Sequence, residues 1–527
     1  MTRRSQPDKD HLGLGRILRL SASKFATCNF LEFEDRAYAY SEFNTQVNVV
    51  SHWLASTGLA NGDRVLLLSE NSPSFVRAMF ALGKLGVVSM PANAMLTDHD
   101  IARLVDLTRP SHVLAGEGYR QKAELALAAS TVPRTPLSVL HLDDTVTTAS
   151  GAVLDVVSEA AAGRGEPVPS RPVRDEDPAV ILFTSGSTGM PKGIVKSYSN
   201  LAWSAINHQI SEPRRSGDRE SFCLSLAGIA FANFVLLDAL AGATCVLEPA
   251  FDAERLAQSL ATRGITHIFL APTMISALAR HSPDAKYPTL RVVETSFEFP
   301  LETRRTAVNL FPNASILWSF GSTEATMART PPEFLLNDIS CVGHASGLDE
   351  YRIDPDTPQG EQGEVQSYGP TVMVSYLSED GAGEGTGTGV RPDGWFPTGD
   401  LGTLDKANAL HFAGRLKDMI KSGGTNVFAM DVEAALIEHP DVRNAAVIGL
   451  PDDYWGEIVA VVLEMADPEL ADVESVRKFA IERLAPFKRP KQYFVLADLP
   501  KTPTGKVAKG QLKNQVKGSK LVPRPLT

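Results

Sequence analysis

Residues 184–193 carry the strongest chemical signal in the sequence. They read Thr-Ser-Gly-Ser-Thr-Gly-Met-Pro-Lys-Gly and directly follow the apolar run 179–183. Glycines let the backbone approach an anion and turn its N–H groups toward it, the hydroxyls add donors, and Lys192 adds a positive charge. The segment predicts a polyphosphate-binding loop after a buried strand, formed by Thr184, Ser185, Gly186, Ser187, Thr188, Gly189 and Lys192. The alternative is a solvated turn, which a lone glycine-rich loop often is.

Five further polar motifs follow along the chain, and their order matters as much as their content. They are Ser-Phe-Gly-Ser-Thr-Glu at 319–324, Trp-Phe-Pro-Thr-Gly-Asp at 395–400, Gly-Arg-Leu-Lys-Asp at 414–418, Lys-Ser-Gly-Gly-Thr-Asn-Val at 421–427 and Pro-Lys-Thr-Pro-Thr-Gly-Lys at 500–506. Together with the loop, this series resembles the adenylate-forming superfamily of acyl- and aryl-CoA synthetases, adenylation domains of non-ribosomal peptide synthesis and firefly luciferase. The resemblance extends from about residue 40 to residue 515.

The resemblance implies a reaction in which a carboxylate attacks the α-phosphate of ATP and forms an acyl adenylate. Because an anion then approaches a polyanion, positive charge must stabilise the transition state. By similarity, the loop holds the β- and γ-phosphates, Thr323 contacts the α-phosphate, and Glu324 is the Mg²⁺ ligand. Asp400, with Arg415 close by, would accept hydrogen bonds from the ribose hydroxyls, and Lys506 would bridge the carboxylate and the α-phosphate. Taken singly, each residue could instead be part of a turn, a helix cap or a surface charge.

The same resemblance implies a second half-reaction with coenzyme A. The family rotates its small C-terminal domain after adenylation, and Lys417 occupies the hinge position. The rotation removes Lys506 and brings Gly423 and Gly424 to line a channel for the pantetheine thiol. The motif at 421–427 looks like the CoA-ligase version of this region, which favours free coenzyme A and leaves a carrier protein open as the acceptor.

Several positions depart from the family pattern around the expected acyl and adenine sites. Ser296 and Phe297, followed by Glu298, stand where a Gly-Gly pair usually packs on adenine and the acyl group, and Phe320 replaces a tyrosine. The usual histidine or aromatic residue at the acyl entrance falls near Gly228, which enlarges the opening. We therefore expect a large hydrophobic or polycyclic acid of specialised metabolism, with an ordinary fatty or aryl acid as the alternative. The candidate pocket residues are Gly228, Phe231, Asn233, Phe234, Phe297 and Trp318.

Other functions stay open on the sequence alone. If Ser296 and Phe297 spoil ATP placement, the protein would accept a preformed acyl adenylate and form only the thioester. The chain could also be a ligase that loads a carrier protein, or a non-catalytic protein that binds an adenylate. The retained Glu324 and Lys506 favour a complete acyl-CoA ligase that uses ATP, Mg²⁺ and coenzyme A.

The elements that must position these residues alternate along most of the chain. Helical patterns are separated by short apolar runs at 64–68, 112–115, 179–183, 267–271 and 316–320. This alternation predicts layered α/β structure. Strand-like runs at 364–368 and 372–374 predict a β-rich subdomain within the large N-terminal domain.

The sequence after residue 415 predicts a separate, small α+β domain. Its predicted elements are a helix near 430–438, strands at 445–450 and 458–464, and a helix near 473–484. We expect residues 1–415 to form the ATP- and acyl-binding domain. Residues 416–527 would form the mobile domain that carries the catalytic lysine.

Composition excludes several other classes of protein. The chain has 527 residues, of which 43% are hydrophobic and 21% charged, which is typical of a globular protein of several domains. Its net charge of -11 without a basic run argues against nucleic-acid binding. The four cysteines have no metal-binding spacing. A charged N-terminus and the lack of any apolar stretch of about 18 residues predict a cytoplasmic enzyme or binding protein without stable membrane insertion.

Overall fold

The computed structural model describes residues 12–132, 135–167, 173–185, 191–296, 299–325, 327–330, 332–338, 340–358, 360–378, 389–422, 425–465, 471–501 and 507–524. The α-helices are α1 (Leu14–Lys24), α2 (Tyr40–Ser56), α3 (Pro73–Leu85), α4 (Asp98–Thr108), α5 (Arg120–Ala129), α6 (Val156–Glu159), α7 (Tyr198–Ser211), α8 (Leu237–Ala241), α9 (Ala253–Thr262), α10 (Pro272–His281), α11 (Leu301–Leu310), α12 (Ala429–Ile437), α13 (Val473–Arg483) and α14 (Lys509–Lys517). Among the helices in these ranges, none is both long and apolar enough to cross a membrane.

The strands are β1 (Asn29–Phe33), β2 (Arg36–Ala39), β3 (Arg64–Leu68), β4 (Val88–Ala92), β5 (His112–Gly116), β6 (Leu137–Leu140), β7 (Thr145–Thr147), β8 (Val153–Asp155), β9 (Pro178–Ser185), β10 (Pro191–Ser197), β11 (Arg219–Phe222), β12 (Thr244–Leu247), β13 (His267–Phe269), β14 (Val292–Thr295), β15 (Ser315–Gly321), β16 (Met327–Arg329), β17 (Cys341–Ala345), β18 (Glu350–Ile353), β19 (Gly363–Tyr368), β20 (Ser375–Tyr376), β21 (Phe396–Leu404), β22 (Leu410–Arg415), β23 (Ile420–Ser422), β24 (Thr425–Val427), β25 (Val442–Asp452), β26 (Gly456–Met465) and β27 (Gln492–Leu496).

Contacts divide the chain into two compact units. The first unit comprises Met1–Asn337, His344–Tyr351 and Ser367–Phe396, and the second comprises Asp338–Gly343, Arg352–Gln366 and Pro397–Thr527. This division differs from the predicted boundary after residue 415, because β22, which ends at Arg415, packs against α12 within the second unit. The domain limits and the hinge at Lys417 stay predictions.

Strands from two sheets carry the residues of interest in the first unit. One has the order β20-β10-β9-β4-β3-β5-β6-β7-β8, and β3 pairs in parallel with both β4 and β5. Every residue of β5 is buried, as expected for a strand covered on both faces. In the other sheet, the parallel strands β11, β13, β14 and β15 follow one another. Ser296 and the Ser322–Glu324 turn therefore leave the sheet at the same edge.

The apolar runs of the sequence identify the strands of these sheets well. All five predicted runs fall on strands, namely β3, β5, β9, β13 and β15. The predicted run 364–368 lies within β19, but 372–374 is not a strand. There the Met373 N–H donates to the Glu324 carbonyl and the Val374 N–H donates to the Val195 carbonyl. The segment therefore makes isolated backbone hydrogen bonds rather than a β-ladder.

The C-terminal elements agree with the prediction to within a few residues. The strands β25 and β26 form a long antiparallel hairpin, and β27 adds to β26 in parallel. Alternate residues of the hairpin face opposite sides: Val447 and Val461 pack with α12 and α13, whereas Ile448 and Val462 pack with Leu512 of α14. This period of two is what a sheet covered on both faces requires.

Candidate active site

The predicted phosphate loop connects β9 and β10, which form an antiparallel hairpin in the first unit. Lys192 lies opposite Thr184, and Pro191 lies opposite Ser185. A Cβ at Gly193 would lie only 2.9 Å from the Leu377 Cβ, so glycine permits the close packing of the hairpin on that residue. The hairpin therefore fixes Thr184 and Lys192 at the two ends of the loop. The predicted loop residues Gly186, Ser187, Thr188 and Gly189 lie outside the described residues.

Lys192, Tyr376 and Glu324 form a cluster beside this hairpin. The Lys192 ammonium lies 3.7 Å from the centre of the Tyr376 ring, a cation–π contact. The Tyr376 hydroxyl donates a hydrogen bond to Glu324 Oε1 at 3.2 Å. Burial, together with the Glu324 carboxylate, raises the pKa of Tyr376 well above its usual value, so the hydroxyl keeps its proton and remains a donor. The cluster links a predicted phosphate ligand to a predicted metal ligand through one tyrosine.

A buried lysine supports the backbone of the same cluster. Lys196 is 1% exposed on β10, and its ammonium donates to the Thr371 carbonyl at 2.6 Å and the Glu324 carbonyl at 3.3 Å. Burial lowers the pKa of Lys196 to about 8, against the opposing effect of the Glu324 and Asp349 carboxylates. Sequence reasoning missed Lys196 and Tyr376. The signal for Lys196 was a charge in the apolar strand that follows the loop.

Thr323 and Glu324 lie in the turn that follows β15, and both are half-buried. The Ala325 N–H donates to Ser322 Oγ at 3.3 Å, which closes this turn. Over the described part of the chain, no three His, Cys, Asp or Glu side chains group as metal ligands. Mg²⁺ usually keeps several waters and binds one or two carboxylates together with substrate phosphates. A single half-buried carboxylate near the phosphate-loop lysine therefore fits Mg²⁺ that arrives with a nucleotide.

Asp400 and Arg415 form an ion pair in the second unit. They face each other across the β21–β22 pair, with 2.7 Å between Arg415 Nε and Asp400 Oδ1. The Asp400 side chain is buried, whereas the Arg415 side chain is 37% exposed. Gly399 adopts φ 73°, a left-handed conformation that favours glycine, and its N–H donates to Glu364 Oε1. Lys417 follows two residues later in the 3₁₀ turn Leu416–Asp418.

The residues predicted for the acyl pocket have different surroundings. Asn233 lines a small cavity of the first unit, and a Cβ at Gly228 would meet nothing within 4 Å. Phe231 and Phe234 instead pack in the main hydrophobic core. Trp318 is buried against the Arg304 guanidinium, which lies 4.6 Å from its ring.

Two residues predicted near adenine are described. Ser296 is half-buried and follows β14, at the same sheet edge as Thr323. The Phe320 ring packs edge-on against Tyr351 at 6.4 Å between ring centres. Five other predicted site residues lie outside the described residues: Phe297, Glu298, Gly423, Gly424 and Lys506.

A buried charged cluster that sequence reasoning missed lies on β14, β15, β16 and α7. Glu294 Oε1 accepts from Ser319 Oγ at 2.5 Å and from Arg329 Nη2 at 3.3 Å, and His208 Nε2 lies 3.4 Å from the same oxygen. Burial alone would raise the pKa of Glu294, but Arg329, His208 and Ser319 together hold it well below its usual value. Burial lowers the pKa of His208 to about 4, so the imidazole is neutral at pH 7. The sequence signal was a glutamate inside an otherwise apolar strand.

Two family profiles match this chain. The AMP-binding enzyme family matches residues 18–377, and the C-terminal domain of AMP-binding enzymes matches residues 431–506. Together they include the phosphate loop, the Ser322–Glu324 turn and Lys506.

Similar proteins include curated enzymes and solved structures. A feruloyl-CoA synthase from Amycolatopsis sp is 31% identical over 96% of this chain and 99% of its own length. An indoleacetate–CoA ligase from Aromatoleum aromaticum is 30% identical over 92% of this chain and 94% of its own. The ATP-bound structure of MatB from Rhodopseudomonas palustris superposes with a TM-score of 0.83 at 26% identity, covering 96% of this chain and 99% of MatB. The chain belongs to the AMP-binding enzyme family of the adenylate-forming superfamily, and its curated relatives are acyl- and aryl-CoA ligases.

Proposed function

We propose that this protein is an AMP-forming acid–CoA ligase for a bulky, largely hydrophobic carboxylic acid. It would form an acyl adenylate and pyrophosphate from the acid and ATP, and then transfer the acyl group to the thiol of coenzyme A. The observation that carries the proposal is the Lys192–Tyr376–Glu324 cluster, because it keeps a cation and a carboxylate together beside the loop expected to hold phosphates. The match to CoA ligases over nearly the whole chain supports the same reaction.

Each polar residue has a separate task in the first half-reaction. Lys192 and the loop N–H groups would neutralise the β- and γ-phosphates, and Thr323 would donate to the α-phosphate. Glu324 would hold Mg²⁺, which when bound spreads the negative charge of the phosphates. Lys506 would stabilise charge on the α-phosphate as the carboxylate attacks.

The ribose would be held by the Asp400–Arg415 pair. A carboxylate offers two acceptor oxygens, which suits the two hydroxyls of a ribose. Arg415 contacts Asp400 and keeps that carboxylate oriented. Ser296, Phe297, Glu298 and Phe320 would surround the adenine.

The second half-reaction would use other residues. Lys417 would be the hinge about which the C-terminal domain turns, and Gly423 and Gly424 would line the thiol channel. A turn of this kind lets one active site perform two reactions in sequence. Free coenzyme A is the proposed acceptor, and the activity belongs to cytoplasmic specialised metabolism.

A bulky acid is supported by two observations. A Cβ at Gly228 would meet no atom within 4 Å, which supports an entrance that admits more than a small acid. The names of two relatives contain ring-bearing acids, ferulate and indoleacetate.

Four assays on the full-length protein test this proposal. Acid-dependent exchange of labelled pyrophosphate into ATP reports adenylation, and thioester formation from acid, ATP and coenzyme A reports the complete reaction. Thioester from synthetic acyl-AMP without any exchange would indicate a thioesterification-only enzyme. Exchange with thioester only on a phosphopantetheinyl carrier would indicate a carrier-protein ligase. Inactivity in all assays would leave an adenylate-binding protein.

Lys506→Ala is the variant that tests the mechanism. We expect it to lose roughly 3 kcal/mol or more of transition-state stabilisation in adenylation, since a charged contact is removed. Lys520→Ala removes an exposed lysine further along the chain and should leave exchange unchanged. Normal exchange by Lys506→Ala would contradict the assigned role.

A further inference from the structure

An irregular segment of the first unit, residues 370–374, contacts the proposed metal ligand. The Met373 N–H donates to the Glu324 carbonyl at 2.8 Å. Tyr376, which follows the segment, donates to the Glu324 carboxylate at 3.2 Å. The path of this segment therefore affects both the backbone and the side chain of Glu324.

Three successive carbonyls of the segment each accept a hydrogen bond from a buried side chain. The Asn200 amide, on α7, donates to the Pro370 carbonyl at 2.8 Å and to the Val372 carbonyl at 2.9 Å. The Lys196 ammonium, on β10, donates to the carbonyl between them, that of Thr371, at 2.6 Å. A backbone without ladder partners depends on such side-chain donors, so these bonds fix the path of the segment.

Lys196 also reaches the proposed metal ligand itself. Its ammonium donates to the Glu324 carbonyl at 3.3 Å, so one side chain joins Glu324 to Thr371. The lysine is 1% exposed and follows the buried residues Ile194 and Val195 of β10. Burying an ammonium is costly, and an apolar residue at this position would avoid that cost. Stability alone therefore gives no reason for a lysine here.

Two carboxylates lie near the Lys196 ammonium. Burial lowers the pKa of Lys196, and the Glu324 and Asp349 carboxylates act in the opposite direction. Asp349 is itself held in place, because it accepts from Thr371 Oγ1 at 3.0 Å and from the Asn207 amide. The charge of the ammonium would repel a cation bound to Glu324. Its charge and its hydrogen bonds therefore have opposite effects on metal binding.

We propose that Lys196 is a positioning residue for adenylation, whose ammonium fixes the backbone at Glu324 and Thr371 and thereby orients the Glu324 carboxylate toward Mg²⁺. The inference rests on the proposed function, in which Glu324 holds Mg²⁺ together with the nucleotide. Groups that orient a metal ligand from behind matter strongly, and their removal typically costs about 10- to 100-fold in metal affinity or activity. Both hydrogen bonds of the ammonium go to protein carbonyls, so Lys196 acts through Glu324.

Two variants of the full-length enzyme test this role. Lys196→Met removes the ammonium and keeps an apolar stem, whereas Lys196→Gln removes the charge but keeps N–H donors. Each is titrated with Mg²⁺, from a metal-free start in EDTA, in the presence of α,β-methylene-ATP, which cannot release pyrophosphate. The rise in the midpoint of thermal unfolding reports binding. Acid-dependent pyrophosphate exchange with ATP, over the same Mg²⁺ series, reports activity.

We expect Lys196→Met to need about 10-fold more Mg²⁺ than the wild type for half-maximal stabilisation and for half-maximal exchange. Lys196→Gln should need less Mg²⁺ than Lys196→Met, because its amide can still donate to a carbonyl. The KM for the acid, and the stabilisation by the nucleotide in EDTA, should stay as in the wild type. If Lys196→Met does not fold, the comparison of Lys196→Gln with the wild type decides.

Lys84→Met is the matched control. Lys84, on α3 of the first unit, is likewise a lysine whose ammonium is held by two protein oxygens, but these belong to Asn44 and Asn48 on α2. Its removal should lower the unfolding midpoint and leave the Mg²⁺ requirement unchanged.

Three results would overturn the inference. An unchanged Mg²⁺ requirement in the Lys196 variants would mean that the lysine only stabilises the fold. A lower requirement in both would mean that its charge outweighs its hydrogen bonds. A similar rise in Lys84→Met would indicate general damage. If the wild type itself neither binds the nucleotide nor exchanges pyrophosphate, the proposed ligase function fails, and this inference fails with it.

Discussion

At the residue scale, Tyr376 contacts two oppositely charged side chains that we propose as ligands of the nucleotide and its metal ion. Its ring contacts the Lys192 ammonium, and its hydroxyl donates to Glu324. Without a nucleotide, this arrangement keeps both side chains in place beside the loop. Such fixed charges cost little reorganisation when the transition state forms. We therefore regard Tyr376 as a positioning residue for adenylation.

Tyr376→Phe should lower kcat/KM for MgATP by about 3- to 10-fold, because the Glu324 carboxylate loses one hydrogen-bond donor. The Mg²⁺ concentration needed for half-maximal exchange should rise as well. Steady-state exchange kinetics over a Mg²⁺ series measure both effects. Tyr368→Phe, at an exposed tyrosine beside Trp395, is the control and should behave as wild type. An unchanged Mg²⁺ requirement in Tyr376→Phe would refute the positioning role.

Asp400→Asn tests the predicted ribose contact at the same scale. Loss of the charged acceptor should raise KM for ATP about tenfold. The wild-type enzyme should show a similar rise in KM when 2′-deoxy-ATP or 3′-deoxy-ATP replaces ATP. The variant should show little further rise in KM with these analogues. Asp356→Asn, at an exposed aspartate of the second unit, is the control. If Asp400→Asn still discriminates ATP from both analogues as wild type does, another group holds the ribose.

At the element scale, the β9–β10 hairpin holds the two ends of the predicted phosphate loop. The register fixes Thr184 opposite Lys192, and Gly193 lets the hairpin pack closely on Leu377. The sequence allowed a prediction of β9 as a buried strand from its apolar run. It could not indicate the partner at Leu377, because that contact joins residues far apart in the chain.

Gly193→Ala should destabilise the protein by about 1–3 kcal/mol, since the added Cβ would lie 2.9 Å from the Leu377 Cβ and 3.2 Å from the Ile181 side chain. The midpoint of thermal unfolding measures the loss. Gly118→Ala is the matched control, because a Cβ there meets nothing within 4 Å. Equal midpoints for the two variants would show that the hairpin has room to adjust.

His112, on β5, should make the free energy of unfolding of the protein depend on pH. Burial lowers its pKa to about 4, while an exposed imidazole titrates near 6.5. Between these values the unfolded chain binds a proton that the folded chain excludes, so the stability contribution falls as the pH is lowered from about 6.5 to 4.

The variant His112→Gln does not titrate in this range. Between pH 7 and pH 4.5, its free energy of unfolding should therefore fall by about 2 kcal/mol less than that of the wild type. Unfolding midpoints at a series of pH values measure this difference. If the unfolding midpoints of the wild type and the variant changed in parallel with pH, that result would contradict a neutral buried His112.

At the scale of the whole molecule, the order of short motifs identified the superfamily, and the alternation of helical patterns with apolar runs predicted the layered α/β architecture. Local sequence patterns were enough to predict this architecture, because the five apolar runs fall on strands and the C-terminal helices and strands form where they were expected. Features made by distant residues could not be predicted: Tyr376 approaches Glu324, and Lys196 donates to Thr371, only in the folded chain. Phe231 and Phe234, which were predicted for the pocket, pack in the main hydrophobic core, and their role at the acyl site stays a prediction.

The central claim is that a carboxylic acid attacks the α-phosphate of ATP in this enzyme. The most direct test uses an acid labelled with ¹⁸O in both carboxylate oxygens, together with ATP and coenzyme A, and mass spectrometry of the products. The account predicts AMP that carries one ¹⁸O and unlabelled pyrophosphate, because the bridging oxygen of the acyl adenylate stays with AMP when the thiol takes the acyl group. Label in inorganic phosphate alongside ADP, or thioester formed with unlabelled AMP, would contradict it.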